Sequence, residues 1–593
     1  MKARIGLALA AWAGAGGLGA AFVMQQGADD VGRSPVQRAR KSTGESGGGP
    51  GQGPGKHGGG DRPGGGGPGG GGGGPGGGGG GPGSFGTPAA FPLEFRTIDG
   101  SGNNPHHPDW GAAETVMRRM AQAAYADDAH APAGSDRPSA RAVSNGVVAQ
   151  SDSIPNAVGA SDFLWVWGQF LDHDLDETPV ADPAEPFDIQ VPAGDPWFDP
   201  TGAGGVLIPL DRSSYDEIGG VRQQVNLITA YIDASNVYGS EEERAHELRT
   251  LDGTGRLKTS PGDLLPFNVN GFPNAPTAHD PSFFLAGDIR ANEQVVLIAM
   301  HTVFVREHNA WAQWLFDVSA LDGEAIYQIA RAIVAAEMQA ITYREFLPVL
   351  LGDGALGPYQ GYRDELDPAI ANEFAAAGYR MGHTMLSPQL LRVLANGSVH
   401  SDGHLALADA FFNPEELSSV GLEPYLRGLT YQRAQEVDPY LIDDVRNFLF
   451  GPPGAGGFDL AALNVQRGRD HGLPSYVALR KELVGGPVKS FAHVSSDPEV
   501  QDRLAATYDD VKDVDAWVGL LSEDHAPGAM VGPTLRELLR DQFRRTRDAD
   551  RFWYEAYLPA ELVAVVEAQT LAKVLRRNTD LGDELPDDVF RAQ

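Results

Sequence analysis

The chain has 593 residues, no cysteine and a formal net charge of −33. Like-charge repulsion of that size excludes nucleic acid and anionic membrane surfaces as partners. Without cysteine, disulfide-linked oligomers, iron–sulfur clusters, thiolate chemistry and cysteine-bound zinc are excluded too.

Residues 1–26 open on the basic "MKAR" and continue as an apolar run rich in Ala and Gly, which reads as a signal peptide or an uncleaved N-terminal anchor. No later run is long and apolar enough to span a bilayer. The protein is therefore expected to be secreted, extracellular or in the cell envelope. Residues 27–87, dominated by Gly and Pro from Glu45 onward, offer nothing to bury and read as a disordered linker. His57 within it reads as solvated chain rather than a metal ligand. Residues 88–593 read as one large, mainly α-helical domain with little β-structure.

Within that domain, "WGQFLDHDLDETP" at 167–179 sets one histidine among four carboxylates. At about 100° per residue, Gln169, Asp172 and His173 share a helical face and Asp174 points elsewhere. In "TAYIDASNVYGS" an extended reading puts Thr229, Tyr231, Asp233 and Ser235 on one side. These are hard oxygen ligands suited to Ca²⁺, to which Asp174 would add a carboxylate, although the same alternation also suits a turn. Val295 to Val305 is apolar all round, as in a helix buried on every side. Ile326, Ile329, Ile333, Ala336 and Ala340 recur at threes and fours, one face of a helix. "GPTLRELLRDQFRRTRD" supplies a further helix. Taken singly, His301, His308, His383 and His471 suit hydrogen-bonded structural histidines better than ligands.

Eight segments change that weighing: "FRTIDGSGNNPHHPDWG", "GSDRPSAR", "SDFLWVWGQFLDHDLDETP", "YIDASNVYGS", "FLAGDIRANE", "MHTVFVREHN", "YRMGHTMLSP" and "LNVQRGRDHGLPSY". Their order resembles that of the animal-type haem peroxidases, the superfamily of myeloperoxidase, lactoperoxidase and peroxidasin. The likeness runs from about Phe95 to beyond Tyr476. It implies a mostly helical fold around a buried haem b, with H₂O₂ and a small reductant as partners.

The resemblance also implies roles. His173 matches the distal histidine, Gln169 the distal glutamine and Arg290 the distal arginine. His383 matches the proximal iron ligand, and Asn464 the asparagine that accepts a hydrogen bond from it. Asp172 and Glu293 match the carboxylates that become ester-linked to haem. Arg380 and Arg467 match arginines near the haem propionates. Asp174, Thr229, Tyr231 (through its carbonyl), Asp233 and Ser235 match a calcium loop. His301, His308 and His471 stay structural, and Asp176 and Glu177 are taken as solvated or structural.

These residue types suit the chemistry. Iron with one protein ligand keeps a face open for peroxide. A neutral histidine can move a proton from the inner to the outer oxygen. A fixed guanidinium can stabilise the charge on the departing oxygen.

Gln294 stands where myeloperoxidase has a methionine bonded to haem, so two ester links at most are expected. The reductant is read as bromide, iodide, thiocyanate or a phenol. A fatty-acid dioxygenase of the cyclooxygenase-related branch is the second reading, but Arg380 occupies the position of that branch's radical tyrosine. The third reading is a non-enzymatic adhesion protein on the same scaffold. The chain contains no RGD tripeptide, and every catalytic position is filled.

Overall fold

Six helices position the site in the computed structural model, which describes residues 91–92 and 94–593. The expected leader at 1–26 and linker at 27–87 lie outside the described residues. The helices are α1 (Phe163–Leu175), α2 (Val295–Val318), α3 (Gly323–Ile341), α4 (Leu460–Asp470), α5 (Pro533–Asp548) and α6 (Leu571–Asn578). Short helices and irregular turns connect them. Strands are confined to small antiparallel pairings such as Tyr215–Ile218 with Val221–Asn226. The mainly helical reading is confirmed.

α1 carries apolar residues almost all round, and eleven of its thirteen positions are buried. It stops at Leu175 because Asp176 turns to extended backbone. α2 is buried without a break from Val295 to Val305, as its sequence predicts. The side chain of Asp322 caps α3 by accepting the Ala325 N–H. Ile326, Ile329, Ile333, Ala336 and Ala340 all lie in the core. α2 and α3 pack together as a hairpin, and α6 lies against α2. One hydrophobic cluster runs from Met117 to Phe590.

Two departures from regular helix shape the site. Phe374–Gly378 is a π-helical turn that runs into the 3₁₀ turn Tyr379–Met385, on which His383 sits. Such irregular turns occur often at functional sites. The second departure is in the segment expected to be extended, 229–235. It is bent, with Ala234 in the left-handed region (φ 63°) and Ser235 opening a helical turn. The alternation of Thr229, Tyr231, Asp233 and Ser235 therefore does not place them on one face of a strand. No helix among the described residues is long and apolar enough to cross a membrane.

Buried charge pins the C-terminal helix. Glu307 on α2 and Glu337 on α3 have fully buried side chains. Arg577 on α6 grips Glu307 with two hydrogen bonds of 2.9 and 2.7 Å, and lies 3.5 Å from Glu337. Burial first, then the neighbouring Glu307, push the Glu337 carboxyl well above the usual range. Removing the guanidinium strands a buried carboxylate, which costs about 3–5 kcal/mol. Arg577→Ala is expected to lower the thermal midpoint sharply; a midpoint within a degree or so of wild type would show that the pair does not hold α6.

Candidate active site

A cavity of about 270 Å³ is lined by Gln169, Asp172 and His173 from α1, by Arg290 and Glu293, and by His383 with other residues of the 379–385 turn. α4 adds Leu460, Leu463 and Arg467. The shared helical face read from the sequence is thus real: those three α1 residues reach the cavity, and Asp174 does not.

Asp174 is buried and turned to the 233–236 loop. It accepts from the backbone N–H groups of Asp233 and Ala234 (both 3.1 Å) and Asn236 (3.3 Å), and from the Ser235 hydroxyl (2.7 Å). Thr229 donates to Asp233 at 3.0 Å. Tyr231 sends its hydroxyl away, to the Trp110 carbonyl at 2.7 Å. Burial and then Asp233 raise the Asp174 carboxyl well above its usual range. Burial raises Asp233 as well, opposed by Arg96. No cluster of three or more His, Cys, Asp or Glu able to hold a metal occurs among the described residues.

His173 is 3 % exposed, and burial followed by the Arg290 charge hold its imidazole far below its ordinary value, so it is neutral. Its Nδ1 lies 3.5 Å from Asp288 Oδ1, and its Nε2 lies 3.9 Å from Glu293 Oε2. Asp288 was missed by sequence reasoning, although it stands two residues before Arg290 in "GDIRANE". Its carboxylate accepts from Arg290 Nε at 3.0 Å and Nη2 at 2.8 Å, and from the Arg290 N–H at 2.7 Å. Burial alone would raise Asp288, but the Arg290 charge and the hydrogen bonds from Arg290 outweigh it and keep the group ionised. Gly287 lets this segment approach the 235–239 turn: a β-carbon there would collide with the Ser235 carbonyl and with two backbone nitrogens.

Arg290 also donates to the Asp176 carbonyl at 3.0 Å and lies 3.6 Å from Asp172. Asp176 and Glu177 are 6 % and 5 % exposed, which rules out the solvated reading. The chain folds back beneath Arg290 after α1 ends and takes both carboxyls inside. Gln169 donates to Glu293 at 3.2 Å and accepts from Gln294 at 3.1 Å. Asp172 and Glu293 border the cavity rather than bulk water, so burial pushes both upward, Glu293 to about 7.

On the other wall, His383 Nδ1 is 2.8 Å from the Asn464 amide nitrogen, while the Asn464 oxygen accepts from Arg380 at 3.1 Å. This is the reverse of the expected polarity. Arg380 is a permanent donor and claims the oxygen, which leaves the nitrogen for the imidazole. A His383 that ligates through Nε2 needs an acceptor at Nδ1, and the same amide supplies one when turned over. Burial and then Arg380 lower His383 to about 3, so the ring is neutral, as a metal ligand requires. Arg467 lines the cavity while donating to Asp211, Ser213 and Asp470. His301 and His308 are fully buried and neutral, lowered chiefly by burial to about 4. His471 is bonded to Ser213 and Asn372.

The sequence profile of the animal haem peroxidase family matches residues 95–590. The chain belongs to that family. It is 36 % identical to peroxinectin A of Dictyostelium discoideum over 522 residues, which cover 84 % of this chain and 96 % of that protein. It is 36 % identical to Drosophila melanogaster peroxidasin over 558 residues, but spans only 36 % of that longer protein. The solved structure of peroxidase A from Dictyostelium discoideum superposes with a TM-score of 0.78 at 34 % identity, covering 84 % of this chain and all of that one. A fatty acid α-dioxygenase of Oryza sativa, at TM-score 0.70 and 23 % identity, shares the fold. The protein is thus a haem peroxidase, an oxidoreductase acting on H₂O₂ with a reductant.

The residues present fit haem. The cavity has a neutral imidazole on each of two walls. Arg380 is disfavoured by burial and then by the like charge of Arg467, a strain that an anionic propionate would relieve.

Asp288→Asn should leave haem content unchanged and slow the peroxide-induced change in haem absorbance by about 10²-fold, the scale for losing a preorganised charge contact. A wild-type rate would remove Asp288 from the site.

Proposed function

We propose that the chain cleaves H₂O₂ at a haem b seated in this cavity and passes the oxidising equivalents to small phenols in preference to bromide, iodide or thiocyanate. The meeting of His173 and His383 in one cavity, with Arg290 beside the first and Asn464 beside the second, carries the reading. His383 would hold the haem iron, which would supply the redox centre for peroxide cleavage. His173 takes a proton from the inner peroxide oxygen and returns it to the outer one. Arg290 lays a fixed positive charge where the departing oxygen gathers negative charge, and Asp288 keeps that guanidinium from swinging away. Gln169 would border the peroxide, Asn464 orients His383, and Arg380 with Arg467 would meet the propionates. Burial raises the carboxyls of both Asp172 and Glu293. Ester links to haem would remove a charge that this environment disfavours.

Calcium is part of the same proposal. Asp174 and Asp233 are buried together, and Asp233 Oδ2 has no hydrogen-bond partner among the described residues. A divalent cation held by these two carboxylates with Thr229, Ser235 and the Tyr231 carbonyl would neutralise the pair.

The preference for phenols rests on Phe411, Phe412 and Phe450, which are partly exposed and line the cavity. The Phe450 ring meets Phe411 at 5.2 Å and Phe412 at 5.1 Å. Phe412 (φ 49°) and Phe450 (φ 64°) hold left-handed backbone, a strain of about 1–3 kcal/mol each that persists where the surroundings enforce it, often at functional sites. An aromatic wall suits a phenol ring, and the net charge of −33 disfavours approach by anions. Export to the cell exterior or envelope follows from the leader-like residues 1–26.

Stopped-flow mixing with H₂O₂ and then with each reductant tests the ranking. Phenols should restore the ferric spectrum faster than any of the three anions; faster return with iodide, bromide or thiocyanate would reverse the assignment. His173→Ala should slow the first step by about 10²–10⁴-fold. Chelation of the haem-loaded protein should lower its melting temperature, with recovery on adding Ca²⁺ but not Mg²⁺; insensitivity to chelation would remove calcium.

A further inference from the structure

The aromatic rings behind the cavity form a continuous file. Tyr379 lines the cavity, and its buried hydroxyl has no hydrogen-bond partner among the described residues. Its ring stacks on Phe374 at 4.7 Å and meets Phe543 of α5 at 5.8 Å. Phe543 meets Tyr343 at 6.2 Å, Tyr343 meets Trp553 at 4.9 Å, and Trp553 meets Tyr359 at 5.8 Å. Tyr359 is partly exposed. Rings in contact thus run from the cavity wall to the surface, drawn from five separate segments of the chain.

The surface end differs from ordinary core packing in where a proton can go. The Tyr343 hydroxyl donates to the Phe543 carbonyl at 2.6 Å, and a carbonyl is no base for a phenol proton. Arg547 lies 5.8 Å from the Tyr343 ring and 5.9 Å from the Tyr359 ring, which disfavours a positive charge on either. Trp553 Nε1 donates to Glu555 at 3.3 Å, and Glu555 is exposed. Of the oxidisable rings in the file, Trp553 is the one placed to lose an electron inward and its N–H proton to a carboxylate open to water.

We propose that this file conducts oxidising equivalents from the cavity to Trp553, giving the protein a second oxidation site for phenols too large to enter the cavity. The inference rests on the peroxidase reading above. One electron passes inward along the rings for each equivalent moved, and one proton goes to Glu555. A phenol at the Tyr359 surface then gives up an electron and a proton, restoring the indole N–H. Two such passages per peroxide balance as H₂O₂ + 2 ArOH → 2 H₂O + 2 ArO•. The chemical class of donor is a phenol carried on a macromolecule.

The test uses the haem-loaded full chain with H₂O₂ and two forms of one donor: free tyramine, and tyramine coupled to dextran. Trp553→Phe should lose oxidation of the dextran-bound phenol, read as dityrosine fluorescence, and keep oxidation of free tyramine. Glu555→Gln, a surface change that leaves the packing intact, should slow the bound donor alone and keeps the test sound if Trp553→Phe does not fold. With peroxide and a spin trap but no donor, mass spectrometry should find the adduct on Trp553 or Tyr359. Equal losses for both donors, no loss for either, or adducts confined to other residues would overturn the relay. Failure of wild type to oxidise free tyramine would instead count against the phenol reading.

Discussion

Everything in the site depends on how the Asp174 carboxylate is held. It sits buried at the end of α1 and accepts four hydrogen bonds from the 233–236 loop. Breaking those contacts would leave a polar group buried and unpaired, so helix and loop move as one body. α1 is rigid, and fixing Asp174 on one side fixes the bearing of Asp172 and His173 on the other. The same loop receives Gly287, and through it the segment bearing Asp288 and Arg290. One carboxylate thereby sets the spacing between an imidazole and a guanidinium that are far apart in sequence.

Within that frame, environment assigns the protonation states. Burial and Arg290 keep His173 neutral, while Arg290 in turn keeps Asp288 ionised against its own burial. Glu293, more open to the cavity but shut off from bulk water, is pushed to about 7. Groups of similar intrinsic acidity are driven in different directions within a few ångströms, which is how one pocket sets a neutral base and a fixed cation beside carboxyls of raised pKa.

Much of this was legible from residue order. Helical periodicity placed Gln169, Asp172 and His173 on one face, and the apolar run from Val295 to Val305 announced a fully buried helix. The motif likeness brought Arg290, His383 and Asn464 to the same site; the cavity gathers the first two, and Asn464 is bonded to His383 behind it. Other features could not be read locally. Thr229 to Ser235 look like a strand, but Ala234 takes a left-handed turn because the loop wraps the Asp174 carboxylate. Asp176 and Glu177 look like surface acids until the chain doubles back under Arg290. The polarity of Asn464 depends on Arg380, 84 residues away. Asp288 was visible as a carboxylate two residues before an arginine, a spacing that allows a grip on the side chain without requiring one.

The most direct measurement is the axial-ligand signature of the haem-loaded protein, read by low-temperature electron paramagnetic resonance and resonance Raman spectroscopy in wild type, His383→Ala and His173→Ala. Histidine-ligated iron is expected in wild type, with loss of that signature in His383→Ala and its retention in His173→Ala. Persistence of the signature in His383→Ala, or its loss in His173→Ala alone, would contradict the assignment of the two walls.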